Sequence, residues 1–386
     1  MIPYSRQCID ISDIREVNKV LKSDFITQGP IVNQFETLVA RYCNSKFAVA
    51  VNSATSALHI ACKSIGVSEN DYVWTVPNSF VASANCALYC NAKIDFVDID
   101  DHTWNVSIIK LEEKLKIAKI KKTLPKIFIS VHLAGNPPLQ NKIYQLSKKY
   151  KFKIIEDASH SLGSSFKDEK VGSCKWSNIC IFSFHPVKMI TTGEGGIATT
   201  NDNKLIKKMR MYASHGITKS KLEFKSKKTP PWHYEQHYLG FNYRLTDIQA
   251  ALGISQLKKI DLFVQKRNKI ANFYKKNFKQ INVDFQKIEN DVICSYHLFI
   301  IKINKMHHRK KHINLFKYLL TKQIGVNIHY QPIHLQPYYR KLGFRKGDFP
   351  ISEKYPNECL SIPIYPQLTI RNAKYVFKLI KSFLCD

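Results

Sequence analysis

The sequence has no apolar run near the roughly 20 residues needed to span a bilayer, and its opening, Met1-Ile2-Pro3-Tyr4-Ser5-Arg6, lacks the apolar core of a secretory leader. A cytoplasmic protein with no membrane partner is expected. There is no C-x-x-C pair, and the ten cysteines follow no regular spacing. Cys86 and Cys90, four apart on an expected helix, have the spacing of packing positions. Free buried thiols in a reducing compartment are therefore expected, not a disulfide framework. His233 with His237, and His329 with His334, lack the cysteines or carboxylates that complete a metal site, so no metal is expected. Internal repeats and low-complexity linkers are also missing.

Acidic residues are scarce. Thirty stand against 59 lysines and arginines, a net charge of +29. Such an excess suits nucleic acid, an anionic membrane or an acidic substrate. The lysines are scattered, however, and the two denser clusters, Lys219 to Lys228 and Lys305 to Lys311, lack interleaved aromatics. They read as solvated loops, and specific nucleic-acid binding is not expected. With 44% hydrophobic and 12% aromatic residues, the 386-residue chain can bury a sizeable core. That length predicts a large domain and a smaller one.

Along the chain, residues 12–22 and 31–43 read as helices broken at Gly29-Pro30. Phe47–Val51 is a short apolar strand running into Asn52-Ser53-Ala54-Thr55-Ser56-Ala57, which opens a helix to about Ser64. Free N–H groups at such a start make an anion site; an ordinary N-cap has the same residues. Strands follow at Tyr72–Val76, Ile94–Val97 and Ile127–Val131, with helices near 79–89 and 138–150. The strand Lys153-Ile154-Ile155 leads into Glu156-Asp157-Ala158-Ser159-His160. Strands alternating with helices predict α/β layers around a mainly parallel sheet, whose ligands sit beyond the carboxyl ends of the strands.

The apolar run Ile181-Phe182-Ser183-Phe184 leads through His185-Pro186-Val187 to Lys188, and Gly193, Gly195 and Gly196 follow before a strand at Ile197–Thr199. A lysine at a strand end beside a crevice can be desolvated, lose its proton and attack a carbonyl; on this segment alone, Lys188 also reads as one of many lysines that merely ends a strand. Past residue 203 the pattern loosens into a basic loop and recovers at Pro230-Pro231-Trp232. Thr246-Asp247-Ile248-Gln249 has capping-box form and starts a long helix. The boundaries expected are 1–250 for the large domain, with N-terminal helices able to pack on the small one, and 251–386 for the small α/β domain.

A phosphate-type helix start, a strand-end carboxylate and a strand-end lysine match the needs of pyridoxal phosphate: a cradle, a partner for the pyridinium nitrogen and a Schiff-base lysine. Phe80, after Pro77-Asn78-Ser79, has the position to stack on a ring and reads as well as a core aromatic. The segments Asn52–Ala57, Glu156–His160, Phe182–Gly196 and Gly240–Gly253 resemble the DegT/DnrJ-type nucleotide-sugar aminotransferases along nearly the whole chain. The resemblance implies the type I aminotransferase fold, pyridoxal 5′-phosphate, and a homodimer with shared active sites. It implies Lys188 as the Schiff-base lysine and Asp157 as the pyridinium partner. His160 would lie against the cofactor, Thr55, Ser56 and Ser183 at its phosphate, and Phe80 on its ring. Asn242 would reach the phosphate of the neighbouring subunit.

Within the family, Trp232-His233-Tyr234-Glu235-Gln236, Phe241–Leu257, Pro3–Gln7 and His329–His334 are most similar to the pseudaminic-acid branch. That branch implies a UDP-linked 2-acetamido-2,6-dideoxy-4-ketohexose aminated at C4 with L-glutamate as donor. It puts His329 and Tyr330, with His185 nearby, on the sugar side. Another 4-keto-6-deoxy sugar, the D-xylo epimer or a GDP-linked one, is the competing substrate. A dehydratase subgroup carries histidine in place of the lysine, so Lys188 favours transamination. A regulator built on this fold would need a DNA-binding module, for which no segment is evident.

Overall fold

The computed structural model describes residues 1–281, 283–303 and 309–385. Helices α1 (Ile11–Leu21) and α2 (Pro30–Cys43) come first, and the proline at the first position of α2 suits a missing N–H there. The chain then alternates through β1 (Phe47–Val51), α3 (Ala54–Ile65), β2 (Tyr72–Thr75), α4 (Ala82–Leu88), β3 (Lys93–Phe96) and α5 (Ile108–Lys121). Next come β4 (Ile127–Val131), α6 (Gln140–Tyr150) and β5 (Lys153–Asp157). A short hairpin, β6 (Ser165–Phe166) with β7 (Glu169–Lys170), precedes β8 (Ile179–Ser183) and β9 (Gly196–Thr200).

Seven of these strands form one sheet in the order β1-β9-β8-β5-β4-β2-β3. All run parallel except β9, which is antiparallel to β8 and β1. Every residue of β4 and β9 is buried, the mark of strands covered on both faces. That is why β4, Ile-Phe-Ile-Ser-Val, reads as an apolar run without alternation. One face packs on α3, α4 and α7 (Asn203–Ala213) through Leu58, Ala84 and Met209. The opposite face packs on α2 near its first strand, and on α5 and α6 near its far edge.

Helix α7 corrects the expected loop past residue 203. Asp202 caps it, accepting from Lys204 N and Leu205 N, and Ile206, Met209 and Ala213 are buried on one side. The i, i+3, i+7 stripe was present, masked by interleaved lysines. The Lys219 to Lys228 cluster does form an exposed loop, inside an arm closed by the pair β10 (Ile217–Thr218) and β11 (Glu235–Gln236). Of the Lys305 to Lys311 cluster, residues 305–308 lie outside the described residues. From Arg309 the chain is helix, not loop.

Helix α8 (Asp247–Leu257) opens with the expected capping box, Thr246 with Gln249. α9 (Ile260–Phe278) follows. β12 (Asp284–Phe285), β14 (Phe299–Lys302) and β15 (Cys359–Ile362) make a second, antiparallel sheet, while β13 (Val292–Ile293) pairs back onto β6. α9, α10 (Arg309–Thr321) and α11 (Ile370–Cys385) bury that sheet through Tyr274, Leu315 and Phe377. The N-terminus crosses to this region, where Ile2 pairs with Ile324 and Tyr4 O accepts from Ile364 N at 3.0 Å. All ten cysteines are free, eight of them buried. Among the described residues no helix is long and apolar enough to cross a membrane.

Candidate active site

The carboxyl ends of β4, β5 and β8 and the start of α3 converge on one cavity of about 460 Å³. Lys188 is on its wall, in the loop that leaves β8, its backbone N–H donating to His185 O at 2.9 Å. Among the described residues its ammonium makes no ion pair. Burial lowers its pKa to about 8, and the Asp157 carboxylate opposes this only in part. An amine so placed is a nucleophile near neutral pH.

Asp157 ends β5 and faces the same cavity. Both its oxygens are engaged: Oδ2 accepts from Ser83 Oγ at 2.5 Å, and Oδ1 from Ser159 Oγ at 2.6 Å. Beside it His160 is buried. Its Nδ1 accepts from Ala134 N at 3.2 Å, so the ring proton is on Nε2, 3.2 Å from the Tyr330 hydroxyl. Burial and the Lys188 charge push His160 well below the ordinary histidine range, so the imidazole is neutral. His329 bonds Ser361 Oγ at 2.8 Å through Nδ1 and is likewise lowered, by burial first and then Lys188, to about 3. Burial raises the Tyr330 phenol, which keeps its proton.

The start of α3 supplies the polar end. Ser53 caps the helix by accepting from Ser56 N at 3.1 Å, and Ala54 and Thr55 carry N–H groups without an intrahelical partner. β9 passes directly beneath: a Cβ on Gly196 would fall 2.4 Å from Ala54 N, so only glycine admits this approach. Ser53, Ala54, Thr55 and Ser183 all line the cavity. Ser56 does not line it; its hydroxyl donates to Asn52 Oδ1 at 2.6 Å.

Phe80 and His185 line the cavity too, Phe80 56% exposed with its ring 6.1 Å from that of Tyr330. Asn242 lies apart, exposed at the base of the arm and bridged to Ser214. The structure thus brings together Lys188, Asp157, His160, Thr55, Ser183, Phe80, His185, His329 and Tyr330. Sequence reasoning missed Ser83 and Ser159 on Asp157, and His297, whose ring lies 4.3 Å from that of His160. Ser159 stood inside a motif already singled out; Ser83 and His297 carried no local signal.

An amine that deprotonates near neutrality, a carboxylate aimed into the same space and open N–H groups at a helix start have the donor chemistry for an aldehyde, a ring nitrogen and a phosphate. The residues present fit pyridoxal phosphate.

Comparison with known proteins agrees. The model of the DegT/DnrJ/EryC1/StrS aminotransferase family matches residues 7–381. A UDP-4-amino-4,6-dideoxy-N-acetyl-beta-L-altrosamine transaminase of Campylobacter jejuni is 40% identical, covering 100% of this chain and 98% of its own. The spore coat polysaccharide biosynthesis protein SpsC of Bacillus subtilis is 32% identical over 99% of this chain and 97% of its own. Among solved structures, Helicobacter pylori PseC, described as an aminotransferase involved in the biosynthesis of pseudoaminic acid, superposes with a TM-score of 0.90 at 30% identity, covering 99% of both chains. The putative sugar aminotransferase Spr1654 of Streptococcus pneumoniae, in its PMP-form, gives 0.91 at 26% identity, again covering 99% of both. The α/β architecture is that of these aminotransferases.

Proposed function

The chain belongs to the DegT/DnrJ/EryC1/StrS aminotransferase family, and from that membership we propose a substrate and a role for each residue of the site. As a member it is a nucleotide-sugar aminotransferase with pyridoxal phosphate as cofactor. The proposed acceptor is a UDP-linked 2-acetamido-2,6-dideoxy-4-ketohexose of L-arabino configuration, aminated at C4 with L-glutamate as donor. The product would be UDP-4-amino-4,6-dideoxy-N-acetyl-beta-L-altrosamine, made in the cytoplasm for pseudaminic acid. The observation that carries this reading is the 40% identity, over the whole chain, to a transaminase of that name.

When bound, the cofactor supplies an aldehyde that accepts the amino group and a ring that draws electrons from the donor Cα. Lys188 is the residue that would hold the aldehyde group, and its amine would serve as the base and acid for the donor Cα proton. Its lowered proton affinity suits both tasks. Asp157 would accept from the ring nitrogen in a charge-assisted hydrogen bond and keep it protonated. Thr55, the N-terminal N–H groups of α3 and Ser183 would hold the phosphate, with Ser56 buttressing the cap through Asn52. Phe80 would stack on the ring, and His160 would lie against the cofactor. His329, Tyr330 and His185 are placed at the sugar. The neutral state of His329 suits hydrogen bonding to hydroxyls without attracting stray anions.

Donor and acceptor occupy this one cavity in turn, so the kinetics are ping-pong. The proposed active unit is a homodimer in which Asn242 reaches the phosphate held by the other subunit. Asn242 lies outside its own cavity, and the arm that carries it exposes Trp232 at 80% and Leu239 at 82%, apolar surface that suits cover by a second chain. The proposed division into 1–250 and 251–386 falls within α8, whose Ala250, Ile254 and Leu257 pack on the large-domain core, while the second sheet and the helices that bury it follow it.

The test offers both 4-keto epimers and a GDP-linked keto-sugar with glutamate and follows amino-sugar formation by mass. Preference for the UDP-linked L-arabino sugar is expected. Preference for the GDP sugar overturns the substrate assignment and leaves the aminotransferase in place.

A further inference from the structure

Ser83 projects from α4 into the buried layer behind the cavity, where its hydroxyl reaches Asp157 Oδ2 at 2.5 Å. Ser79 Oγ lies 2.7 Å from Ser83 Oγ. All three are buried: Ser83 0%, Ser79 3% and Asp157 7% exposed. Proton positions follow from chemistry. An ionised carboxylate only accepts, so the single Ser83 proton points at Asp157. The Ser83 oxygen then accepts from Ser79, and the chain reads Ser79 to Ser83 to Asp157 in one direction. Successive hydroxyls aligned this way polarise one another. Ser159 Oγ donates to the other oxygen at 2.6 Å.

We propose that Ser83, backed by Ser79, is a positioning residue that fixes which side of the Asp157–cofactor hydrogen bond carries the shared proton. This rests on the reading of Asp157 as the partner of the ring nitrogen. Each hydroxyl donor occupies a lone pair of the carboxylate and holds its plane, so that the remaining acceptor capacity faces the ring nitrogen. The proton therefore stays on the ring nitrogen, where it sustains the electron sink. The other ionisable groups near Asp157 include Lys188, whose charge acts in the same sense, the neutral imidazole of His160, and the phenol of Tyr330 and thiol of Cys180, both kept neutral by burial. Without Ser83, the carboxylate keeps Ser159 but loses a donor on Oδ2, and its plane is free to turn.

The experiment uses holoenzyme reconstituted with pyridoxal 5′-phosphate labelled with 15N in the ring, and reads the nitrogen resonance, which separates protonated from bare pyridine. The wild-type resonance is expected in the protonated range. In Ser83→Ala it should move toward the bare range, with kcat down about tenfold and KM for glutamate unchanged within about twofold. Ser79→Ala should move it less, in the same direction, and Ser83→Thr, which keeps the hydroxyl, should restore it. A merely structural serine would alter the melting temperature and leave the resonance in place. If Asp157→Asn moves the resonance and Ser83→Ala does not, the inference about Ser83 is overturned and Asp157 keeps its role. If Asp157→Asn leaves the resonance at its wild-type position, the reading of Asp157 fails, and the inference with it.

Discussion

Lys188 owes its chemistry to where β8 leaves it: past the last sheet hydrogen bonds, walled by protein, with Asp157 as the opposing charge. Burial disfavours the ammonium, so the proton leaves near pH 8 instead of the ordinary 10.5. Below that pH the amine is protonated and inert toward an aldehyde. Capture of pyridoxal phosphate by apoenzyme should thus accelerate with pH and level off above about 8; stopped-flow absorbance that keeps climbing toward 10.5 would contradict the lowered value. Asp157→Asn offers the ring nitrogen an amide in place of an anion. It should cost at least about a hundredfold in kcat while leaving the melting temperature nearly unchanged; wild-type kcat would make the aspartate structural. At this scale sequence carried the residues whose signal is local. Lys188 was marked by an apolar run and three glycines, and Asp157 by a strand end. Ser83 was silent because it meets Asp157 across 74 residues, and His297 because it meets His160 only through the fold.

Among the elements, α3 and β9 build the anion cradle together. Gly196→Ala puts a methyl 2.4 Å from Ala54 N and 2.4 Å from Ser53 C, both backbone atoms that cannot swing aside. The helix start must shift, and the dissociation constant for the cofactor should rise about tenfold or more, measured by equilibrium dialysis; unchanged affinity would mean that the cradle is elsewhere. A second joint ties the N-terminal helices to the sheet. Asp247, wholly buried at the start of α8, accepts from Gly29 N at 2.5 Å and Val32 N at 2.9 Å and so caps α2 from a distant part of the chain. Asp247→Ala strands two part-buried N–H groups, at no more than about 1–3 kcal/mol each, and a fall within that limit should appear in urea denaturation. The capping box of α8 was legible because it is four consecutive residues. The cap on α2 was not, because its partner lies 218 positions away. α7 escaped for another reason: lysines between its apolar positions diluted a real stripe.

For the molecule as a whole, the excess of cations has a use in the proposed function without marking the site. A nucleotide diphosphate is drawn toward a basic surface, an attraction that salt screens over about 10 Å. The exposed arm predicts complementation: dimers mixing Lys188→Ala with Asn242→Ala protomers can contain one intact site, so activity should reappear on mixing two inactive proteins, and an active monomer would rule out the shared site. The overall α/β order was readable from alternating patterns, whereas the crossing of Ile2–Tyr4 onto the second sheet region was not, since no periodicity encodes it. The account turns on one cavity carrying both half-reactions through Lys188. The direct measurement adds glutamate alone to holoenzyme and follows the cofactor absorbance and 2-oxoglutarate, then adds the UDP-linked keto-sugar. Wild type should release one equivalent of 2-oxoglutarate per site and recover its first spectrum with the sugar, while cofactor-replete Lys188→Ala should do neither within about a thousandth of the wild-type rate. Both steps at near wild-type rate in Lys188→Ala would contradict the account.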